Sequence, residues 1–213
     1  MKREVDLFIF DLDGTLSDSK KDLALAINHT LHTYGFDPMP EEEIASLIGK
    51  GISKLLTSFS DGDRESNYKT FRTYLEYLEN HLLDSTTPFP GVTETLARIT
   101  KKKAVVTNKL LNQAEKVLTG LGLTPFIDLV VGSDVTARIK PDPAPVLYAL
   151  ERFGVDPSRV VMVGDTPDDI LAAVHANVIP CGVTYGFGSR EDLLDAGAQI
   201  LIERFPEIQN YFQ

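Results

Sequence analysis

Short apolar runs recur along the chain, and each stops at a polar residue or a glycine: Leu7–Phe10, Ala104–Val106, Leu129–Val131, Val160–Val163 and Val178–Ile179. They are rich in Val and Ile and do not alternate with polar positions. Strands buried on both faces of a parallel sheet have this pattern. Between the runs the apolar positions take helical spacing. The expected helices are Leu111–Leu121 before Gly122, Pro143–Phe153 before Gly154, and Asp168–His175. Alternating strands and helices predict a doubly wound, Rossmann-like α/β layer with a parallel sheet.

The alternation breaks between Ser17 and Thr87, where no strand-like run appears. Leu23, Ile27, Leu31 and Tyr34 have helical spacing, and so do Phe71, Leu75, Leu78 and Leu82. Ser19-x-x-Asp22 has the form of a capping box at the start of the first of these helices. Asp61-Gly62-Asp63 signals a turn. Pro88-Phe89-Pro90-Gly91 marks the return to the layered pattern. The expected division is an α/β core made of residues 1–16 and 88–213, with a small α-helical domain, residues 17–87, inserted after the first strand. The Glu203–Phe212 pattern predicts a helix packed on the core.

The 213 residues are 43% hydrophobic, enough for a substantial core, and 24% charged. The formal net charge of −10 disfavours a phosphate backbone as partner, so nucleic-acid binding is not expected. The single cysteine, Cys181, rules out a disulfide within the chain and suits a reducing compartment. The apolar run near the N-terminus is too short for a signal sequence, and no stretch approaches membrane-spanning length. These features predict a cytoplasmic protein without a membrane partner, as monomer or homodimer.

The informative polar residues sit at strand ends. Ligands of open parallel sheets bind beyond the carboxyl ends of the strands. The first run ends in Asp11-Leu12-Asp13-Gly14-Thr15, and the second in Thr107-Asn108-Lys109. Lys140-Pro141 follows the third, and Gly164-Asp165 with Asp168 and Asp169 follows the fourth. A single polar strand end is ordinary. Four on one edge, with acids at two of them, call for a cation. Mg²⁺ suits an all-oxygen set, and a lysine beside it suits a phosphoryl group.

In this order and context the four segments resemble the four motifs of the haloacid dehalogenase superfamily. The resemblance covers roughly residues 5–16 and 88–205, and the helical insert is similar to the family's small C1-type cap. It implies that Asp11 is the nucleophile, forming an aspartyl-phosphate, and that Asp13 is the general acid and base. It implies that Thr107 and Lys140 bind the transferring phosphoryl group. Asp11, the main-chain carbonyl of Asp13, and Asp165 would hold Mg²⁺, with Asp169 steadying that site and Asp168 competing for the role. Gly14 would make room for the phosphate, and Thr15, Asn108 and Lys109 would flank it. An acid at Asp13 separates the chain from dehalogenases and phosphonatases, which lack one there.

Gly182–Glu191, Leu193-Leu194, Ala196-Gly197-Ala198, Asp18-Ser19 and Pro90-Gly91-Val92 are similar to the phosphoglycolate phosphatase group. The implied activity is Mg²⁺-dependent hydrolysis of a small phosphorylated metabolite, first of all 2-phosphoglycolate. Pyrophosphatases and sugar-phosphate phosphatases share much of the pattern. A phosphomutase like β-phosphoglucomutase is a second possibility, and a non-catalytic phospholigand sensor a third. Substrate choice is expected in the helical insert, where Gly49-Lys50-Gly51 offers Lys50 as a substrate ligand or a solvated turn residue. His29-x-x-His32 has metal-like spacing but no third ligand in view, so it is read as helix surface.

Overall fold

A computed structural model describes residues 2–48, 52–60 and 62–213. The strands and helices, in chain order, begin with β1 (Leu7–Phe10), β2 (Ser17–Asp18), α1 (Lys20–Thr33), α2 (Glu41–Ile48), α3 (Ile52–Thr57) and α4 (Arg64–Asn80). Then come β3 (Thr87–Pro88), α5 (Val92–Arg98), β4 (Lys102–Val106), α6 (Leu111–Gly120), β5 (Leu129–Val131) and α7 (Ala144–Phe153). The chain closes with β6 (Val160–Gly164), α8 (Pro167–His175), β7 (Ile179–Val183), α9 (Arg190–Asp195), β8 (Ile200–Ile202) and α10 (Ile208–Tyr211).

Six strands form one sheet in the order β5-β4-β1-β6-β7-β8, and every adjacent pair is parallel. All four residues of β1 and all five of β6 are buried, as the unbroken apolar runs require. On one face Leu7, Ile9, Val106, Val146, Met162 and Ala172 join a single apolar cluster. On the other, Phe10 packs against Phe205 with ring centroids 5.5 Å apart, and Phe8 meets Phe212 edge-on at 6.1 Å. Each such buried ring contributes roughly 1.5–3 kcal/mol.

Register sets the position of the polar ends. Phe10 pairs with Val105 of β4 and with Val163 of β6. The next residues in all three strands are therefore level, and Asp11 continues the ladder by donating its N–H to Val163 O at 2.9 Å. Thr107 does the same toward Val131 O at 3.0 Å. Side by side, the carboxyl ends of β1, β4 and β6 deliver Asp11, Thr107 and Asp165 to one edge.

The chain divides into two compact units, the residues up to Asp18 with Pro88–Gln213, and Ser19–Thr87. In the second unit α1 and α4 pack together. Leu23, Ile27 and Leu31 are buried on α1, while α4 buries Thr70, Tyr74 and Leu78. The α4 stripe therefore runs through Tyr74, and Phe71 is exposed, which corrects the expected face. The expected capping box is also absent. Ser19 makes no side-chain cap to α1. Asp22 turns its Oδ2 instead to Ser85 N–H, Thr86 N–H and the Thr86 hydroxyl, at 3.0, 2.9 and 2.7 Å. His29 stacks on Tyr77, 4.3 Å between centroids, so it is packed as an aromatic.

Two further differences lie near the C-terminus. β7 begins at Ile179 and runs on to Val183, and β8, the apolar run Ile200–Ile202, adds an edge strand beyond the five expected. The segment expected to be one helix is a 3₁₀ turn, Phe205–Glu207, followed by the four residues of α10. No helix among the described residues is long and apolar enough to cross a membrane.

Candidate active site

β1 ends at Phe10, so Asp11 and Asp13 lie just beyond it. Leu12 O accepts the N–H groups of Thr15, Leu16 and Ser17, which curls the segment into a tight turn. Gly14 permits that turn with φ +84°, and a Cβ there would fall 2.2 Å from Asp165 Oδ2. The two aspartates consequently meet different lysines.

Lys140 Nζ is the centre of the buried cluster. It donates to Asp11 Oδ1 at 2.7 Å, to Asp169 Oδ1 at 2.6 Å and to Val106 O at 2.8 Å. Lys140 follows β5 in a loop whose position is fixed by Asn108. The Asn108 side chain accepts Lys140 N–H at 3.0 Å and donates to Lys140 O at 3.1 Å. Asn108, expected at the substrate, thus has both ends of its amide engaged by the Lys140 backbone. The Lys140-Pro141 peptide bond is cis.

Asp165 is fully buried. Its Oδ1 accepts from the Thr15 hydroxyl at 2.9 Å and its Oδ2 from Phe187 N–H at 2.8 Å. The 185–188 loop comes this close because Gly186 has no side chain; a Cβ there would sit 2.3 Å from Asp165 Cβ. Asp169 Oδ2 accepts Thr166 N–H at 3.0 Å and the Thr166 hydroxyl at 2.7 Å, which ties the carboxylate to the first turn of α8. Asp169, and not the half-buried Asp168, joins the cluster.

Thr107 Oγ1 accepts Lys109 N–H at 3.2 Å, which leaves its own hydrogen to donate. Lys109 Nζ donates to Asp13 Oδ2 at 2.8 Å, away from the Lys140 cluster. Asp13 Oδ1 is buried and has no hydrogen-bond partner among the described residues. Lys50 lies outside the described residues.

Oxygens of Asp11, Asp165 and Asp169 lie within 4.8 Å of one another. Burial raises the Asp11 carboxyl to about 7, against the pull of Lys140 and with a further push from Asp169. Burial, then Asp169 and Asp11, raises Asp165 well above the usual carboxylate range. Burial opposes the charge on Lys140, but Asp11 and Asp169 outweigh it and raise the ammonium's pKa. With all three carboxylates ionised, one ammonium leaves two negative charges without a counter-charge, and the raised pKa values of Asp11 and Asp165 reflect that deficit. An all-oxygen donor set with that deficit fits a hard divalent cation.

Sequence reasoning gave no role to Thr166 or the Phe187 N–H, and gave Thr15 only a flanking place. The signal for the 185–188 loop was the pair of glycines around Phe187, which by themselves read as an ordinary loop.

A family model described as haloacid dehalogenase-like hydrolase matches residues 8–183. The phosphoglycolate phosphatase of Neisseria meningitidis is 37% identical, over 98% of this chain and 94% of its own length. That of Aquifex aeolicus is 38% identical over 85% of each chain. The crystal structure of a predicted phosphoglycolate phosphatase from Haemophilus somnus superposes with a TM-score of 0.88 at 29% identity, covering 98% of both chains.

Proposed function

We propose, because this chain belongs to the haloacid dehalogenase-like hydrolase family, that it is a Mg²⁺-dependent phosphatase of small phosphorylated metabolites. The leading substrate is 2-phosphoglycolate, and the reaction runs through an aspartyl-phosphate on Asp11. One observation carries the reading: a buried ammonium, Lys140, bridges Asp11 and Asp169 beside Asp165, at the carboxyl edge of the sheet. The names of the full-length relatives favour the substrate.

Asp11 and Asp165 are the side chains that would hold Mg²⁺, together with the main-chain carbonyl of Asp13, and Asp169, held by Lys140 and Thr166, would steady that site. The ion, when bound, supplies the positive charge that lets a carboxylate and a phosphate ester approach each other. Asp11 attacks phosphorus as the ester P–O bond breaks. Asp13 gives a proton to the departing oxygen and takes one back from the water that cleaves the aspartyl-phosphate. The Thr107 hydroxyl donates to a phosphoryl oxygen. Lys140 offsets the charge of that group while keeping Asp11 aimed.

The test is hydrolysis of p-nitrophenyl phosphate with and without Mg²⁺, by the native chain and by Asp11→Asn, which keeps shape and loses the nucleophile. Native turnover should require the metal, and the variant should fall to background. A panel of 2-phosphoglycolate, pyrophosphate and hexose phosphates then ranks substrates by kcat/KM. Undiminished turnover by Asp11→Asn contradicts the mechanism. A higher kcat/KM for pyrophosphate or a hexose phosphate keeps the mechanism and replaces the substrate.

A further inference from the structure

The two oxygens of Asp13 are treated unequally. Oδ2 accepts from Lys109 Nζ at 2.8 Å, while Oδ1 is buried with no hydrogen-bond partner among the described residues. The Lys109 side chain is only 5% exposed, and that of Asp13 17%. An ammonium gives up that much water only for a fixed counter-charge. The backbone of Lys109 is held as well, its N–H by Thr107 Oγ1 and its carbonyl by Ser133 N–H at 2.9 Å. Sequence reading puts Lys109 against the substrate; the geometry gives it Asp13.

We propose that Lys109 is a positioning residue acting through Asp13: it occupies Oδ2 and leaves Oδ1 as the oxygen that carries the proton. The inference rests on the phosphatase reading. In the first half-reaction the proton on Oδ1 passes to the ester oxygen as that P–O bond breaks and the Asp11 P–O bond forms. In the second, water attacks phosphorus and its proton goes to Oδ1. The Asp11 P–O bond breaks and its electron pair returns to Asp11. Lys109 neither gains nor loses a proton, so its contribution is orientation.

Leaving-group chemistry separates this role from substrate binding. An alkyl phosphate releases a strongly basic oxygen that needs the Asp13 proton, whereas p-nitrophenolate leaves without one. In Lys109→Met, kcat/KM for an alkyl phosphate should fall at least about tenfold further than for p-nitrophenyl phosphate. The inhibition constant of inorganic phosphate should stay unchanged, and Lys109→Arg should recover part of the loss. In an Asp13→Asn background, adding Lys109→Met should cost nothing more, because the residue it serves is already gone. That comparison removes both members of the pair, so it remains decisive should Lys109→Met alone fail to fold. Equal losses on both esters with weakened phosphate inhibition would overturn the proposal and make Lys109 a substrate ligand. A full further loss in the Asp13→Asn background would overturn it as well. A native chain that hydrolyses neither ester would instead overturn the phosphatase reading itself.

Discussion

Thr15 is fully buried, and its hydroxyl is the donor to Asp165 Oδ1. Removing that donor leaves a buried carboxylate oxygen unsatisfied, which costs about 1–3 kcal/mol. It also frees a group that would hold the proposed cation; such supporting contacts are worth about 10–100-fold in metal affinity. Thr15→Val should therefore weaken Mg²⁺ binding measured by calorimetry, while Thr15→Ser should bind nearly as the native chain does. At this scale the sequence is legible where chemistry marks a strand end. Asp11, Asp13, Lys140 and Asp165 stand out because acids and lysines are unusual companions for buried apolar runs. Their partners do not stand out. Thr15 and Asp165 are 150 positions apart, and Lys109 and Asp13 are 96 apart, so only the fold shows that they touch. The choice of Asp169 over Asp168 is likewise made by the start of α8, where Thr166 fixes the Asp169 carboxylate.

Elements were legible to the extent that burial is uniform along them. β1, β4 and β6 fall within a residue or two of the apolar runs because strands covered on both faces have no polar side to interrupt the pattern, and the less buried edge strand β5 matches its Leu-Val-Val run. β8 is an apolar run, Ile200-Leu201-Ile202, as short as β5, that sequence reasoning missed, and α10 has four residues, too few for a helical period to establish itself. The expected stripe Phe71, Leu75, Leu78 and Leu82 holds at Leu78 and Leu82 but misses at Phe71, because Thr70 and Tyr74, polar or amphipathic by type, take the buried positions on α4. Ser19-x-x-Asp22 misled for a related reason: the carboxylate that would fold back on its own helix has better donors at Ser85 and Thr86. Those three bonds make Asp22 a clasp between the first helix of the helical unit and the segment that ends it. Asp22→Ala strips the acceptor from the buried Thr86 N–H and hydroxyl. The expected loss is about 2–3 kcal/mol, read as a lower urea midpoint with an unchanged slope. An unchanged midpoint would show that water replaces the clasp without cost.

Among the carboxyls of the described residues, burial acts most strongly on Asp11 and Asp165 in the Lys140 cluster. Exposed carboxylates such as Asp6, whose pKa its hydrogen bond with Arg159 lowers, support the fold above their unfolded pKa and cease to as pH falls through the folded one. The buried acids act the other way. Asp11, raised from 3.8 to about 7, and Asp165, raised further than usual for a carboxyl, hold protons in the folded chain that the unfolded chain has already released. Between about pH 4 and 7 the metal-free protein should therefore lose stability as pH rises. On the proposed function Mg²⁺ would compete for the same oxygens, so it should raise Tm more at pH 8 than at pH 5. A Tm shift independent of pH would mean that the cation binds elsewhere.

The sheet gathers residues from four distant segments so that one carboxylate, Asp11, stands beside a lysine and a metal-compatible cluster. The most direct test is rapid acid quench of the native chain turning over p-nitrophenyl phosphate with Mg²⁺, followed by peptide mass spectrometry. The account predicts a transient phosphoryl group on the Asp11 side chain that forms and decays at rates matching turnover and is missing in Asp11→Asn. Steady release of phosphate with no such adduct, or with the phosphoryl group on another residue, would contradict it.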